Sequence, residues 1–370
     1  MMNKKDYPIR ILCVMSTLDR GGAESIVMSL LRQMNRDLVQ FDFVKHSKSE
    51  GTFEQEIMQM GGKIFCAPRY KIYNHIAYVS WWKRFLLSHP EYNIIHGHFF
   101  TISAVYFSVA QRLGRKTIGH IHSTEIRKEQ VTRPLVHRLS NILIGKIEKY
   151  SNYCMACSEE AGKWVYKRKP FTVLNNAINV DAFKYSQAIR NKVRSQLGIG
   201  NELIMGTVAN YSKVKNPMGL IDIFINVKAK NNKAKLLWVG SGQLRELIEE
   251  RIKQERLEDD VWLLGGRNDV PEILQALDVF LLPSLSEGLP VSLIEAQASG
   301  LPCYVSDRVT READITGNCR FLPIDKPDIW ACEILNSNYV REDTSDSIRN
   351  AGYDITTTAK WMQNFYLSIK

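Results

Sequence analysis

Short apolar runs rich in Val, Ile and Leu alternate with segments of helical period along this chain, then break off and start again. "RILCVMS", "QFDFVKH", "GKIFCAP", "NIIHGHF", "TIGHIHS", "YCMACS" and "TVLNNA" read as strands, with helix-like stretches such as "AESIVMSLLRQM" and "ISAVYFSVAQRL" between several of them. A polar stretch, "NVDAFKYSQAIRNKVRSQLGIGNE", reads as irregular. After it come the strands "LIMGTVANY", "AKLLWVG", "VWLLGG", "DVFLLPS" and "PCYVSD", separated by helices such as "NPMGLIDIFINVKAK" and "PVSLIEAQAS". Strands of this kind are buried on both faces, which requires a mainly parallel sheet covered by helices. At 370 residues the chain exceeds one ordinary core. The expected architecture is therefore α/β, with two Rossmann-like parallel-sheet domains facing a cleft. The spans are residues 1–180 and 181–355, with a tail helix over 356–370, "AKWMQNFYLSI", expected to pack back on the first domain. Open parallel sheets bind ligands beyond the carboxyl ends of their strands, so the cleft is the expected site.

The net charge of +10 is unevenly spread: residues 1–180 hold 26 Lys and Arg against 14 Asp and Glu, and the remainder is close to neutral. A basic first half suits an anionic partner. Nucleic acid is disfavoured, because no helix-turn-helix, zinc-knuckle or RNP signature occurs. An anionic membrane surface or a phosphate-bearing substrate fits better. No apolar run reaches the 18 or more residues of a membrane span, and the first residues do not form a signal peptide, so a cytoplasmic protein is expected. Seven scattered cysteines fit reduced thiols. The one CxxC, "CMAC" at 154–157, lies in a strand-like run without a second pair and reads as structural.

Four constellations carry chemistry. In "STLDRGGAES", Gly21 and Gly22 stand between a strand and a helix, where backbone amides can approach a ligand closely, although a lone glycine pair is more often an ordinary turn. Two HxH pairs, His96 with His98 and His120 with His122, end successive strands. Alternate strand residues share a face and could meet a metal, but no acidic or thiol ligand is near; hydrogen bonding to a sugar hydroxyl or a carbonyl is favoured, and no metal is expected. In "TVANYSKVKNPMG", Lys213 and Lys215 precede a helix opening at Asn216 and Pro217, where ammonium groups and helix-end amides could share one phosphate; solvated surface lysines are the bland reading. In "DVFLLPSLSEGLPVSLIEAQASGLP", a loop with Glu287 and Gly288 runs into a helix expected to start near Pro290 and to carry Glu295. Amides there favour an anion, and a carboxylate on either side can accept hydroxyl hydrogen bonds. A nucleotide sugar has that layout: ribose, diphosphate, hexose.

"EGLPVSLIE" matches the E-x7-E motif of retaining glycosyltransferases with the GT-B fold. The whole chain resembles glycosyltransferase family 4, the group that includes many capsule, exopolysaccharide and lipopolysaccharide transferases. "GGAE", "IIHGH", "IHSTE", "VLNNAIN", "VKN", "VGSG", "LLGGRNDV" and "PSLSEGLPVSLIEAQASGLP" follow that family's order. The last block is specific, while the others gain weight from their sequence. The resemblance implies that Gly22, beside Gly21, lies against the donor diphosphate and the acceptor side, and that His122 contacts the donor sugar. It implies that Lys215 holds the diphosphate, Glu287 accepts from the hexose and Glu295 from the ribose. The loop and helix start at Gly288, Leu289, Pro290 and Val291 would cradle phosphate and sugar, with Gly240 and Gly242 of "VGSG" also on the nucleotide side and Arg267 and Asn268 bordering the base. Two positions depart from the family: Asn210 stands where an arginine is usual, with Lys213 as the nearest compensating cation, and Ala177 replaces a glycine in "NNAIN".

The implied reaction is metal-independent transfer of a hexosyl unit, with retention, from a nucleoside diphosphate sugar, UDP rather than GDP. No DxD occurs to chelate a metal–diphosphate, so no divalent-ion requirement and no cofactor beyond the donor substrate are expected. The acceptor would be a glycan or a lipid-diphosphate-linked glycan in surface polysaccharide synthesis. The segment "YKIYNHIAYVSWWKRFLL" at 70–87 is the candidate for peripheral contact with anionic membrane at the inner face, against its reading as a half-buried helix. A GT-B epimerase and a catalytically weak nucleotide-sugar-binding protein are the rival readings, the second because of Asn210.

Overall fold

The computed structural model describes residues 8–98, 102–122 and 134–370. Two compact units are present: Met1–Ala177 together with Ile355–Lys370, and Ile178–Asp354. In the first, strands β1 (Ile9–Met15), β2 (Val39–Lys45), β3 (Ile64–Cys66), β4 (Ile94–Gly97), β5 (Lys116–Ile121), β6 (Tyr153–Ala156) and β7 (Thr172–Val173) form a sheet in the order β3-β2-β1-β4-β5-β6-β7. In the second, β8 (Ile204–Val208), β9 (Lys235–Val239), β10 (Val261–Gly265), β11 (Val279–Leu282), β12 (Cys303–Ser306) and β13 (Cys319–Leu322) run β10-β9-β8-β11-β12-β13.

All these pairings are parallel. Each sheet reverses its strand order once, between β1 and β4 and between β8 and β11, which makes these the switch points where ligands bind in such folds. Burial explains the strand composition: β2 and β4 are buried at every position, as are β11 and β12.

Three local readings are corrected. The stretch after residue 178 is not irregular, because it holds the helices Val180–Phe183 and Gln187–Gln196. The second buries only Val193 and is anchored by polar contacts: Arg190 and Arg194 bind carbonyls in 275–277 and the carboxylate of Asp278. Its hydrophobic signal was therefore weak. The strand β13 was not expected, since within its run CRFL only the end residues Cys319 and Leu322 are buried and Arg320 is exposed. The helix after the Glu287 loop begins at Val291, with Pro290 as its N-cap in an extended conformation at ψ 117°.

The tail helix Ile355–Ser368 belongs to the first unit. Gln363 accepts a hydrogen bond from the Asn35 amide, and Lys116 donates to the Ile369 carbonyl. Cys154 and Cys157 are free and buried, and burial pushes both thiols up to about 11, which suits inert packing.

Candidate active site

Past β8 the chain forms a tight turn. The Tyr211 amide bonds to the Ser241 carbonyl, and Trp238 donates to the Ala209 carbonyl. Close approach accounts for the two nearby glycines. A Cβ on Gly240 would stand 2.0 Å from the Ala209 carbonyl oxygen, and one on Gly242 would stand 2.7 Å from that of Tyr211. Their contacts are thus with backbone 209–211, and they hold that turn in place.

Lys213–Lys215 make one 3-10 turn, after which Asn216 adopts φ 52° and caps the helix Pro217–Lys228 by accepting from the Gly219 amide at 3.3 Å. Asparagine tolerates this left-handed geometry better than most residues, and Pro217 fits the first helical position. The turn leaves Lys213 and Asn210 exposed and tucks Lys215 inward.

Beyond β11, the Leu285 amide bonds to the Val214 carbonyl at 2.7 Å, tying the acidic loop to the lysine turn. Glu287 forms an isolated bridge with Val309, and its carboxylate pairs with the Lys215 ammonium; their side chains are only 15% and 18% exposed. The two residues expected to serve separate parts of a donor therefore touch each other. Gly288 is exposed, and a Cβ there would meet nothing within 4 Å, so the loop is open at that point.

No side chain caps the helix Val291–Ala298, which leaves its first amides available to an anion. Glu295 lies in its second turn, half-buried, and its carboxyl group has no hydrogen bond or ion pair to another described residue. Burial pushes its carboxyl up to about 8.

Arg267 and Asn268 follow β10 on the surface. The Arg267 guanidinium binds Asp269 through two bonds of 2.7 and 2.6 Å, so its direction is set by a residue that sequence reasoning passed over. Ser284 was also missed. It lies two residues past β11, and its hydroxyl is buried without a partner among the described residues.

In the other unit, the helix Gly22–Gln33 starts behind Gly21, which has no side-chain cap to offer. Glu24 organises this loop by accepting from Ser16 at 3.3 Å and Thr17 at 3.1 Å. A Cβ on Gly21 would lie 2.3 Å from a Glu24 carboxylate oxygen, whereas Gly22 has open space. Gly21 thus lies against the mobile end of the Glu24 side chain, and the position of Gly22 is open. Glu24 stood in the quoted "GGAES", but nothing local marked its role.

The four histidines gather at the ends of β4 and β5. Ring centroids lie 4.1 Å apart within each HxH pair and 5.3 Å apart between His98 and His120. His98 Nδ1 and His122 Nε2 share a hydrogen bond of 2.9 Å, and His96 Nδ1 bonds the Tyr366 hydroxyl at 2.6 Å. Burial drives His96, His98 and His120 well below the ordinary imidazole range. It lowers His122 to about 4, opposed only by the neighbouring Asn176 side chain, which favours the protonated ring. All four rings are neutral at pH 7. The rest of the "IHSTE" motif, residues 123–125, lies outside the described residues.

The segment 70–87 is partly packed into the unit and partly exposed. Its helix His75–Ser88 buries Tyr78, Trp82, Phe85 and Leu86, while Ile72, Tyr73, Ile76 and Leu87 are exposed. Arg69, Lys71, Lys83 and Arg84 are exposed along the same stretch. No described helix is long and apolar enough to cross a membrane.

Comparison with known proteins bears on these features. The profile "Glycosyltransferase Family 4" matches residues 20–182, and "Glycosyl transferases group 1" matches 189–319. The chain is 30% identical to "Putative glycosyltransferase EpsF" of Bacillus subtilis (strain 168), over 96% of each chain. It is 27% identical to the Escherichia coli UDP-Gal:alpha-D-GlcNAc-diphosphoundecaprenol alpha-1,3-galactosyltransferase, over 60% of this chain and 59% of the other. Among solved structures, Anabaena Alr3699/HepE in complex with UDP-glucose superposes with a TM-score of 0.77 at 18% identity, covering 98% of this chain and 100% of that one.

Proposed function

Because the chain belongs to the family 4 glycosyltransferases of GT-B fold, we propose that it moves a hexosyl unit from a UDP-sugar, with retention of anomeric configuration, to a glycan hydroxyl. The observation that carries this reading is the meeting of Lys215, Glu287 and an uncapped helix N-terminus at the switch point between β8 and β11. As the glycosidic C–O bond breaks, negative charge grows on the leaving diphosphate. A fixed ammonium and helix-end amides aimed there stabilise that charge, the largest single contribution in many enzymes. Glu287, released from Lys215 by the incoming phosphate, accepts from hexose hydroxyls, and Glu295 accepts from the ribose. Gly288, Leu289 and Val291 supply backbone, and Arg267 and Asn268 border the base.

The acceptor hydroxyl attacks the face that the leaving group departs from, and a departing phosphate oxygen takes its proton. His122, neutral at pH 7, contacts the transferred sugar. A relative that acts on a diphosphoundecaprenol-linked sugar with UDP-Gal supports a lipid-diphosphate-linked acceptor and a UDP donor here. The exposed Ile72, Tyr73 and Ile76 among basic residues would bring the first unit to an anionic membrane surface.

The test is a panel of UDP- and GDP-sugars, scored by thermal shift, nucleotide release and the anomeric signal of the product. Binding with release of UDP and a retained anomer is expected. Binding without any release, with or without lipid-linked acceptors, would favour a pure binding protein and overturn the assignment of a transfer reaction.

A further inference from the structure

The sequence argued against a metal at the HxH pairs because no carboxylate or thiol stood near, yet the fold supplies three imidazoles in one place. His96 lies in β4, and the register Gly97↔Gly119 carries His98 and His120 past the same level on adjacent strands. Their ligand atoms all lie within 4.8 Å of one another, and all three residues are buried. Nε2 of His96, Nε2 of His98 and both ring nitrogens of His120 have no hydrogen-bond partner among the described residues. Buried polar atoms are almost always satisfied, so a group of orphaned nitrogens facing one point calls for a ligand.

The outer contacts fit a metal centre. A metal-binding histidine characteristically donates its second N–H to a neighbour, which fixes the tautomer and leaves the other nitrogen's lone pair for the ion. Tyr366 stands at His96 Nδ1 and His122 stands at His98 Nδ1, in each case opposite the orphaned Nε2. Burial keeps the rings neutral, the state a metal needs.

We propose that His96, His98 and His120 form a buried three-histidine site for a divalent transition ion of the zinc class, separate from donor binding in the second unit. Neutral nitrogen ligands select zinc, cobalt, nickel or copper over magnesium, so the site is independent of how the diphosphate is neutralised. Zinc–nitrogen bonds of about 2.0–2.1 Å place tetrahedral ligands about 3.4 Å apart, so the rings close in by roughly an ångström on binding. A bound ion would hold the His98 proton on Nδ1, donating to His122 Nε2, and so place the His122 proton on Nδ1. That placement rests on the hydrogen bond between His98 and His122, and only its bearing on the transferred sugar rests on the proposed role of His122.

The experiment uses tag-free, full-length protein stripped with chelator and titrated with Co2+, then with Zn2+. One equivalent of Co2+ per chain is expected, with visible ligand-field bands of a nitrogen-bound ion that Zn2+ abolishes. The melting temperature should rise with each metal. His120→Gln should abolish the bands, and Tyr366→Phe should weaken affinity about 10–100-fold. Wild-type protein that shows no saturable binding of either ion overturns the proposal, whatever the variants do. So does undiminished binding by His120→Gln with a native circular dichroism spectrum. UDP-sugar binding, measured on the same samples, reports on the other unit and separates failure of this site from failure of the transferase reading.

Discussion

Replacing Glu295 by glutamine removes a carboxyl whose ionisation the free protein disfavours. Burial raises it from its ordinary 4.5 to about 8. At about 1.36 kcal/mol per pH unit, that difference has a ceiling of ~4.8 kcal/mol. The side chain is only half-buried, and solvent screening reduces the expected effect to about 1–2 kcal/mol. The sign follows from linkage: a carboxyl raised in the folded state contributes stability that is full below its unfolded value and is lost as pH rises through about 8. Glutamine mimics the protonated form and loses nothing. The variant should therefore melt close to wild type at pH 4.5 and progressively higher between pH 4.5 and 8, with a constant gap above. For a unit of this size the gap amounts to about 2–8 °C. Differential scanning calorimetry at four pH values measures it without donor. With saturating UDP-sugar the gap should shrink, because ribose hydroxyls stabilise the carboxylate and glutamine offers one acceptor oxygen in place of two. A gap independent of pH, or a variant less stable than wild type at pH 9, would refute the argument.

Lys215→Ala should lower kcat about 10²–10³-fold, as loss of a fixed charge stabiliser of the leaving group does, with a smaller effect on donor KM; steady-state kinetics decide it. Asn210→Arg restores a guanidinium beside the lysine turn, and one charged hydrogen bond of about 1.5–3 kcal/mol should raise kcat/KM for the donor about 10-fold or more; a neutral result would mean that Lys213 already fills the role. Added Mg2+ or Mn2+ should leave the rate unchanged if, as proposed, an ammonium and amides neutralise the diphosphate; a rise of more than about 10-fold would contradict this. Tyr73→Asp with Ile76→Asp should reduce co-sedimentation with anionic vesicles and leave donor binding intact. Equal sedimentation of wild type with neutral and anionic vesicles would count against the membrane contact.

How much was legible depended on whether a feature is local. The parallel α/β class followed from runs such as "DVFLLPS", because a strand buried on both faces must be apolar throughout. The helix Gln187–Gln196 was missed for the converse reason: Arg190 and Arg194 hold it to carbonyls more than 80 residues away, and such anchoring leaves no periodic trace. The same limit applied at the candidate site. The E-x7-E spacing and the proline after the loop are local, so Glu287 and Glu295 could be picked out. Their states could not. Glu287 meets Lys215 only because the reversal of strand order sets β8 beside β11, joining residues 72 positions apart, and Glu295 owes its raised carboxyl to protein packed around it from elsewhere. The free site therefore stores its charges in compensated form, one carboxylate on an ammonium and one protonated near neutral pH. In the proposed binding mode, a diphosphate that takes Lys215 releases Glu287 as hexose hydroxyls arrive to receive it. Such an exchange favours the intact sugar nucleotide over the bare nucleoside diphosphate, because only the former supplies a new partner for the displaced carboxylate.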